Sequence, residues 1–295
     1  MKAFNLEKCL EEIKKNGFVD LSGLISTETI DKIVEKIQRP YYEPHVNGRR
    51  GYIKLGAQQY LANTLTWGRE IIDIYSNPFL INLCEKYSED KVHLSNYRIY
   101  KTLPSQDFKM WWHVDNKTDV YDYERKHFVP KIITQDKGII IIMYMVDVKD
   151  GGVQVVKGSH KWSRNHEGKE SFDDMEKEFE KDIVTYNDKP RGTLLAYDYA
   201  TIHRAKPYQG GQVRMSLFGQ YSPSWMPTGE PILLHARDLD GLTEKQKQVL
   251  SFGRESTTEN WPIAQPHEAM DSDDIDTILA NTPKKQLLKH LLKRR

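Results

Sequence analysis

From Val92 onward the chain is cut into short strand-like runs, at 92–100, 138–147, 153–156, 183–186, 192–197 and 212–221. Gly, Pro, Asp and Asn punctuate them, the residues that turns demand. No helical periods alternate with these runs, which argues against a parallel sheet built from crossover helices. The pattern predicts a mainly β fold, an antiparallel sandwich or barrel with flanking helices.

The first ninety residues have a different texture. Residues 5–16 carry Leu6, Leu10 and Ile13 at helical spacing, with Gly17 as the stop. A short strand over 18–21 follows. Ser26 or Thr27 can cap a second helix that runs to about Gln38, ahead of Pro40. Residues 40–66 read as loop, and a third helix is expected over 69–86, interrupted near Asn77 and Pro78. Two interruptions divide the β region. One is 116–136. The other is 164–181, whose stretch 171–179 reads as a charged surface helix. Insertions of this length beside a site usually shape access to it. We expect one domain over residues 1–295: N-terminal helices over 1–91, a β core over about 92–221 and a C-terminal extension over 222–295.

Composition narrows the function. Lys and Arg total 43 against 42 Asp and Glu, so there is no basic excess to drive general nucleic-acid binding. The two cysteines, Cys9 and Cys84, form neither a CxxC nor a zinc spacing, which favours a reducing, cytoplasmic setting. The N-terminus lacks the apolar stretch of a signal peptide. The longest apolar run, 139–146, is far too short to span a bilayer.

Chemistry concentrates at Trp111-Trp112-His113-Val114-Asp115. Residues i and i+2 of an extended chain point to one side, so His113 and Asp115 can aim an imidazole and a carboxylate at one point. His203, ninety residues on, follows the run at 192–197 and is the best third ligand. Two His and one carboxylate on one octahedral face leave three positions open, the non-haem Fe(II) pattern. The same ligands around a catalytic zinc would be tetrahedral with one open position. Eleven residues beyond His203, Arg214 shares a strand face with Ser216. A guanidinium grips a carboxylate in a bidentate fork, and a hydroxyl beside it adds a donor.

Taken together, Trp112-His113-Val114-Asp115, the run from Asp147 through Gly151-Gly152 to Gly158-Ser159-His160, His203, and Arg214-Met215-Ser216 resemble the phytanoyl-CoA dioxygenase-like family of Fe(II)/2-oxoglutarate-dependent oxygenases. The resemblance spans roughly residues 10–221. It implies a double-stranded β-helix, of jelly-roll or cupin type. It implies iron on His113, Asp115 and His203, and 2-oxoglutarate on that iron with its distal carboxylate on Arg214, helped by Ser216. It implies consumption of O2 and hydroxylation of an unactivated carbon of a small molecule, with release of succinate. Charges of the ferrous ion, Asp115, 2-oxoglutarate and Arg214 sum to about zero, as a buried cluster should. Two positions depart from many relatives: Lys157 stands where they have Pro, and Ala205 where they have Ser or Thr. Halogenating relatives replace the carboxylate that Asp115 retains.

Other readings stay open at this stage. The same sandwich could be a non-catalytic binding protein. It could also be a cupin-like isomerase or zinc hydrolase, which leaves Arg214 unexplained. Desaturation or ring formation are further outcomes on the same iron. His160 is read as a turn residue, and Trp111 and Trp112 as core or cavity wall. Tyr41, Tyr42, Arg49, Arg50 and Tyr52 are candidate substrate contacts. Residues 271–276 lack the Gly and Glu of a calcium loop. The basic, leucine-faced segment from Lys284 to Arg295 could contact an anionic surface or dock on its own domain.

Overall fold

The computed structural model describes residues 2–38, 52–55, 58–61, 64–103, 110–115, 117–122, 127–132, 137–162, 172–173, 175–208, 211–226, 232 and 234–252. Helix α1 (Leu6–Asn16) is capped by the Asn5 side chain, which accepts from the Lys8 N–H, and ends at Gly17, whose N–H returns to the Ile13 carbonyl. Strand β1 (Phe18–Asp20) and helix α2 (Thr27–Gln38) follow as expected. Residues 40–66, expected as loop, instead contain strands β2 (Tyr52–Leu55) and β3 (Gln58–Leu61) and a 3-10 turn at Thr64–Trp67. The hairpin takes its backbone partners from a neighbouring strand, so it needs no apolar alternation of its own. Helix α3 (Arg69–Tyr75) and helix α4 (Pro78–Ser88) meet at Asn77, whose side chain caps Phe79 and Leu80 while Pro78 occupies the first helical position.

The long strand β4 (Val92–Thr102) opens the β region. The interruption at 116–136 holds a hairpin of its own, β5 (Lys117–Asp122) with β6 (His127–Ile132). Then come β7 (Ile139–Tyr144) and β8 (Val153–Val156). Among the described residues of the second interruption, a helical turn forms at α5 (Glu176–Phe179), shorter than the helix expected over 171–179, and a 3-10 turn follows at Glu180–Asp182. Phe179 of α5 is buried, so the segment is not a purely charged surface helix. Strands β9 (Ile183–Thr185), β10 (Leu194–Asp198), β11 (His203–Ala205) and β12 (Arg214–Pro223) complete the set, followed by α6 (Glu244–Val249). Residues 253–295, with the basic segment and the calcium-like stretch, lie outside the described residues, as do residues 39–51 and the side chain of Tyr52.

Seven strands form one antiparallel sheet in the order β1-β10-β7-β12-β4-β3-β2, and three form a second, β11-β8-β9. This two-sheet arrangement is the double-stranded β-helix. The apolar run of β7 serves both faces of the larger sheet. Ile139, Ile141 and Met143 pack with α1 to α4 on the outside. Ile140 and Tyr144 pack inward with Val153, Val155, Tyr197 and Phe218 between the sheets. A strand covered on both faces reads as a continuous apolar run rather than an alternating one. Both cysteines are buried and free. Among the described residues no helix is long and apolar enough to cross a membrane.

Candidate metal centre

His203 opens β11 after a tight turn. Asp198, at the end of β10, shapes that turn: Oδ1 accepts from the Ala200 N–H at 2.7 Å and Oδ2 from the Tyr87 hydroxyl at 2.8 Å. Ser159 fixes the turn's other side. Its hydroxyl donates to the Val156 carbonyl and accepts from the Ile202 N–H, both at 2.8 Å. The Gly-Ser-His motif thus braces the residue just before His203. His160 lies in that 3-10 turn, as expected, with Nε2–H to the Lys14 carbonyl at 3.2 Å. The preceding glycine pair has its own reason. A Cβ on Gly152 would sit 2.1 Å from the Tyr186 carbonyl oxygen, so only glycine fits there.

His113 needs no regular strand to reach the same place. It exchanges both backbone hydrogen bonds with His203, at 3.0 and 2.9 Å. Asp115 N–H donates to the Tyr199 carbonyl at 2.9 Å. The segment 113–115 thereby lies along residues 199–203, and two residues ninety apart in sequence become direct neighbours. The imidazole centroids are 4.2 Å apart. Asp115 Oδ1 is 3.9 Å from His113 Nε2, and Oδ2 is 3.2 Å from His203 Nε2. One ligand atom from each of the three side chains lies within 4.8 Å of the others.

Each imidazole is fixed in one tautomer. His113 Nδ1–H donates to the Trp111 carbonyl at 2.8 Å, and His203 Nδ1–H to the Thr201 carbonyl at 3.0 Å. Both Nε2 lone pairs are left for the centre, the usual support of a metal-binding His. Asp115 Oδ2 is buried and makes no geometrically sound hydrogen bond among the described residues. A cation among these three groups would satisfy it. Burial, and then the neighbouring His203, hold the His113 imidazolium down to a pKa of about 4, so His113 is neutral at neutral pH. Burial also acts against the charge on His203, but the Asp115 carboxylate outweighs it and raises that pKa. Asp115 itself is pulled down. Burial pushes it upward, yet the neighbouring His203, and after it His113 and Arg98, outweigh that push. The donor set and its unmet carboxylate oxygen fit a divalent ion.

The centre opens into a cavity of about 250 Å³ between the sheets. Arg214 and Ser216 line it from β12. The Arg214 guanidinium lies 4.9 Å over the Tyr208 ring. Burial lowers its pKa, but from a value so high that it stays charged. His113, Asp115, His203, Arg214 and Ser216 therefore line one cavity, while the candidate substrate contacts Tyr41, Tyr42, Arg49, Arg50 and the side chain of Tyr52 lie outside the described residues. Trp112 is buried against Phe179, with ring centroids at 5.3 Å, whereas Trp111 is exposed and not core as expected.

Three residues escaped the sequence reading. Tyr197 is fully buried beside His203, ring centroids 4.7 Å apart, and its hydroxyl has no partner among the described residues. Arg204 stacks 4.2 Å over Trp112, forks onto Glu176 at 2.7 and 3.1 Å, and donates Nε–H to Gln154 at 2.8 Å. Arg98 faces the cavity from β4. Its signal was present, because Asn96, Arg98 and Tyr100 alternate with the apolar Tyr97 and Ile99.

A jelly roll with a two-His, one-carboxylate centre and an arginine in the same cavity defines the class of non-haem metal oxygenases. The family model described as phytanoyl-CoA dioxygenase matches residues 13–216. The chain belongs to the phytanoyl-CoA dioxygenase family of iron- and 2-oxoglutarate-dependent oxygenases. Solved structures give the same fold. HygX from Streptomyces hygroscopicus, with nickel and 2-oxoglutarate bound, aligns at a TM-score of 0.56 and 13% identity, covering 79% of this chain and 91% of that one. The epimerase SnoN, in complex with Fe3+, alpha ketoglutarate and nogalamycin RO, aligns at 0.55 and 15%, covering 74% and 84%. The carbocyclase SnoK from nogalamycin biosynthesis aligns at 0.53 and 13%, covering 76% and 88%. Comparison with curated protein sequences gave no match.

Proposed function

We propose that the protein hydroxylates an unactivated C–H bond of a small molecule, using Fe(II), 2-oxoglutarate and O2 and releasing succinate and CO2. One observation carries this reading: two tautomer-fixed imidazoles and one unmet carboxylate oxygen converge in a cavity that Arg214 also lines. His113, Asp115 and His203 would hold the metal. Arg214 would take the distal carboxylate of 2-oxoglutarate, with Ser216 as a further donor on the same strand face. When bound, the iron supplies oxygen activation coupled to oxidative decarboxylation of that co-substrate.

The chain's own residues position and shield. The Trp111 and Thr201 carbonyls hold both imidazoles in the metal-binding tautomer. Ile142, Val148, Val153 and Phe218 give the cavity apolar walls that exclude water. SnoN is an epimerase and SnoK a carbocyclase, so cyclisation or desaturation is the second reading, decided by which substrate carbon faces the metal.

The test is succinate formation from 2-oxoglutarate by the full chain with added Fe(II). Turnover is expected even without substrate, and His113→Ala is expected to abolish it. Undiminished turnover in His113→Ala would defeat the iron assignment.

A further inference from the structure

Besides Arg214, two arginines line the cavity: Arg204, whose guanidinium is forked onto Glu176, and Arg98. Two strands, β4 and β12, pair along the cavity floor and present a row of facing residues: Thr102 opposite Arg214, Tyr100 opposite Ser216, Arg98 opposite Phe218, and Asn96 opposite Gln220. All eight line the cavity. The row ends where the register shifts between Gln220 and Tyr221, a β-bulge of the kind that re-aims side chains beside active sites. Arg214 and Arg98 sit at different places on this row. Arg98 is four residues along β4 from the position facing Arg214, about 13 Å of strand.

Around Arg98 the chemistry is donor-rich. Its Nη2–H donates to Asn96 Oδ1 at 2.7 Å, and its guanidinium lies 5.8 Å from the Tyr100 ring centroid. The bond to Arg98 uses the amide oxygen of Asn96, so the N–H donors are what Asn96 offers the cavity. Arg98 lines the same cavity as His113, Asp115 and His203, so a molecule bound beside the centre shares that space with its guanidinium. Asp115 is the single carboxylate among the described residues that line the cavity, and it belongs to the metal triad.

We propose that Arg98, with Asn96 and Gln220, receives an anionic group of the substrate, a carboxylate or a phosphate. The proposal rests on the oxygenase reading above and adds the substrate's chemical class. The co-substrate is gripped from the Arg214 end of the row. The substrate's anion is gripped from the Arg98 end, and its reactive carbon is held at the metal between them. A charge-assisted, forked contact fixes orientation as well as affinity, which a regioselective oxidation requires.

The experiment uses the full chain loaded with Fe(II) and 2-oxoglutarate without oxygen. The metal-to-ligand absorption band of that complex reports co-substrate binding, and its perturbation reports a second ligand. Hexanoate and hexyl phosphate are titrated beside the neutral hexanamide. At least one anion is expected to bind about tenfold or more tightly than the amide, and which anion leads tells carboxylate from phosphate. Arg98→Gln is expected to erase that preference with the 2-oxoglutarate Kd unchanged, and Arg98→Lys to keep part of it. Equal binding of all three probes by the unmodified chain overturns the proposal, whether or not the variants fold. So does a rise of about tenfold in the 2-oxoglutarate Kd of Arg98→Gln, which would give Arg98 to the co-substrate. Absence of the band from the unmodified chain overturns the underlying oxygenase reading, and this proposal with it.

Discussion

At the residue scale, what the sequence reveals depends on whether a side chain's role follows from spacing. His113, Asp115, His203 and Arg214 were legible because two spacings are chemically loaded: a His and an Asp two apart, and a strand arginine eleven beyond a second His. Tyr197 carries no such mark. In sequence it is one of the chain's 16 tyrosines, and only the folded chain buries its ring beside His203. A buried, unpartnered hydroxyl costs about 1–3 kcal/mol of desolvation. Its pKa is pushed far upward by burial and then by the Asp115 charge, so it is a neutral phenol able to donate. The Tyr197→Phe variant should therefore gain roughly 1 kcal/mol of stability in the metal-free protein. With Mn(II) and 2-oxoglutarate present that gain should vanish, because the loaded centre supplies an acceptor. Thermal unfolding of both proteins with and without these additions decides it. A Phe variant less stable under every condition would show that the hydroxyl already has its partner.

At the element scale, regular structure was legible wherever it buries an apolar face or carries a cap. The apolar positions of α1, the break at Asn77-Pro78 and the β7 run all express packing that local sequence records. The β2–β3 hairpin is silent in sequence for the opposite reason, since backbone pairing alone extends the sheet edge at β4, and the β5–β6 hairpin pairs only with itself. In sequence the segment around α5 reads as a charged surface helix. Its charges do something more specific. Glu176 and Asp173 hold Arg204, at 2.7 and 3.8 Å, and Asp173 also accepts from the Trp112 N–H at 3.2 Å. Trp112 precedes His113 and Arg204 follows His203, so one acidic segment ties down the chain beside two members of the triad. Arg204→Met would keep much of the contact on Trp112 while removing the fork and leaving the Gln154 oxygen unmet. It should lower the unfolding free energy by about 2 kcal/mol and weaken Mn(II) binding by roughly tenfold, as loss of outer support to metal ligands does. Calorimetric titration measures the second effect. A destabilised variant with unchanged Mn(II) affinity would mean that the strap supports the fold alone.

At the scale of the whole molecule, the centre exists only in the folded chain. His113 and His203 are ninety residues apart and are brought together by the exchange of backbone hydrogen bonds at the edge of the second sheet. An unfolded chain has no site, so ion binding adds to folding stability. A ligand at a hundred times its Kd contributes about 2.7 kcal/mol, a few degrees of Tm for a chain of this length. The two ligands should not act independently. Arg214 and the triad line one cavity, and a keto-diacid held at both ends needs the metal as well as the guanidinium. Mn(II) alone should raise Tm modestly and 2-oxoglutarate alone very little. Together they should raise it by more than the sum, and His113→Ala should remove the excess. If 2-oxoglutarate stabilises the protein equally with and without the ion, the co-substrate does not bridge metal and arginine. The shared cavity would then be two separate sites.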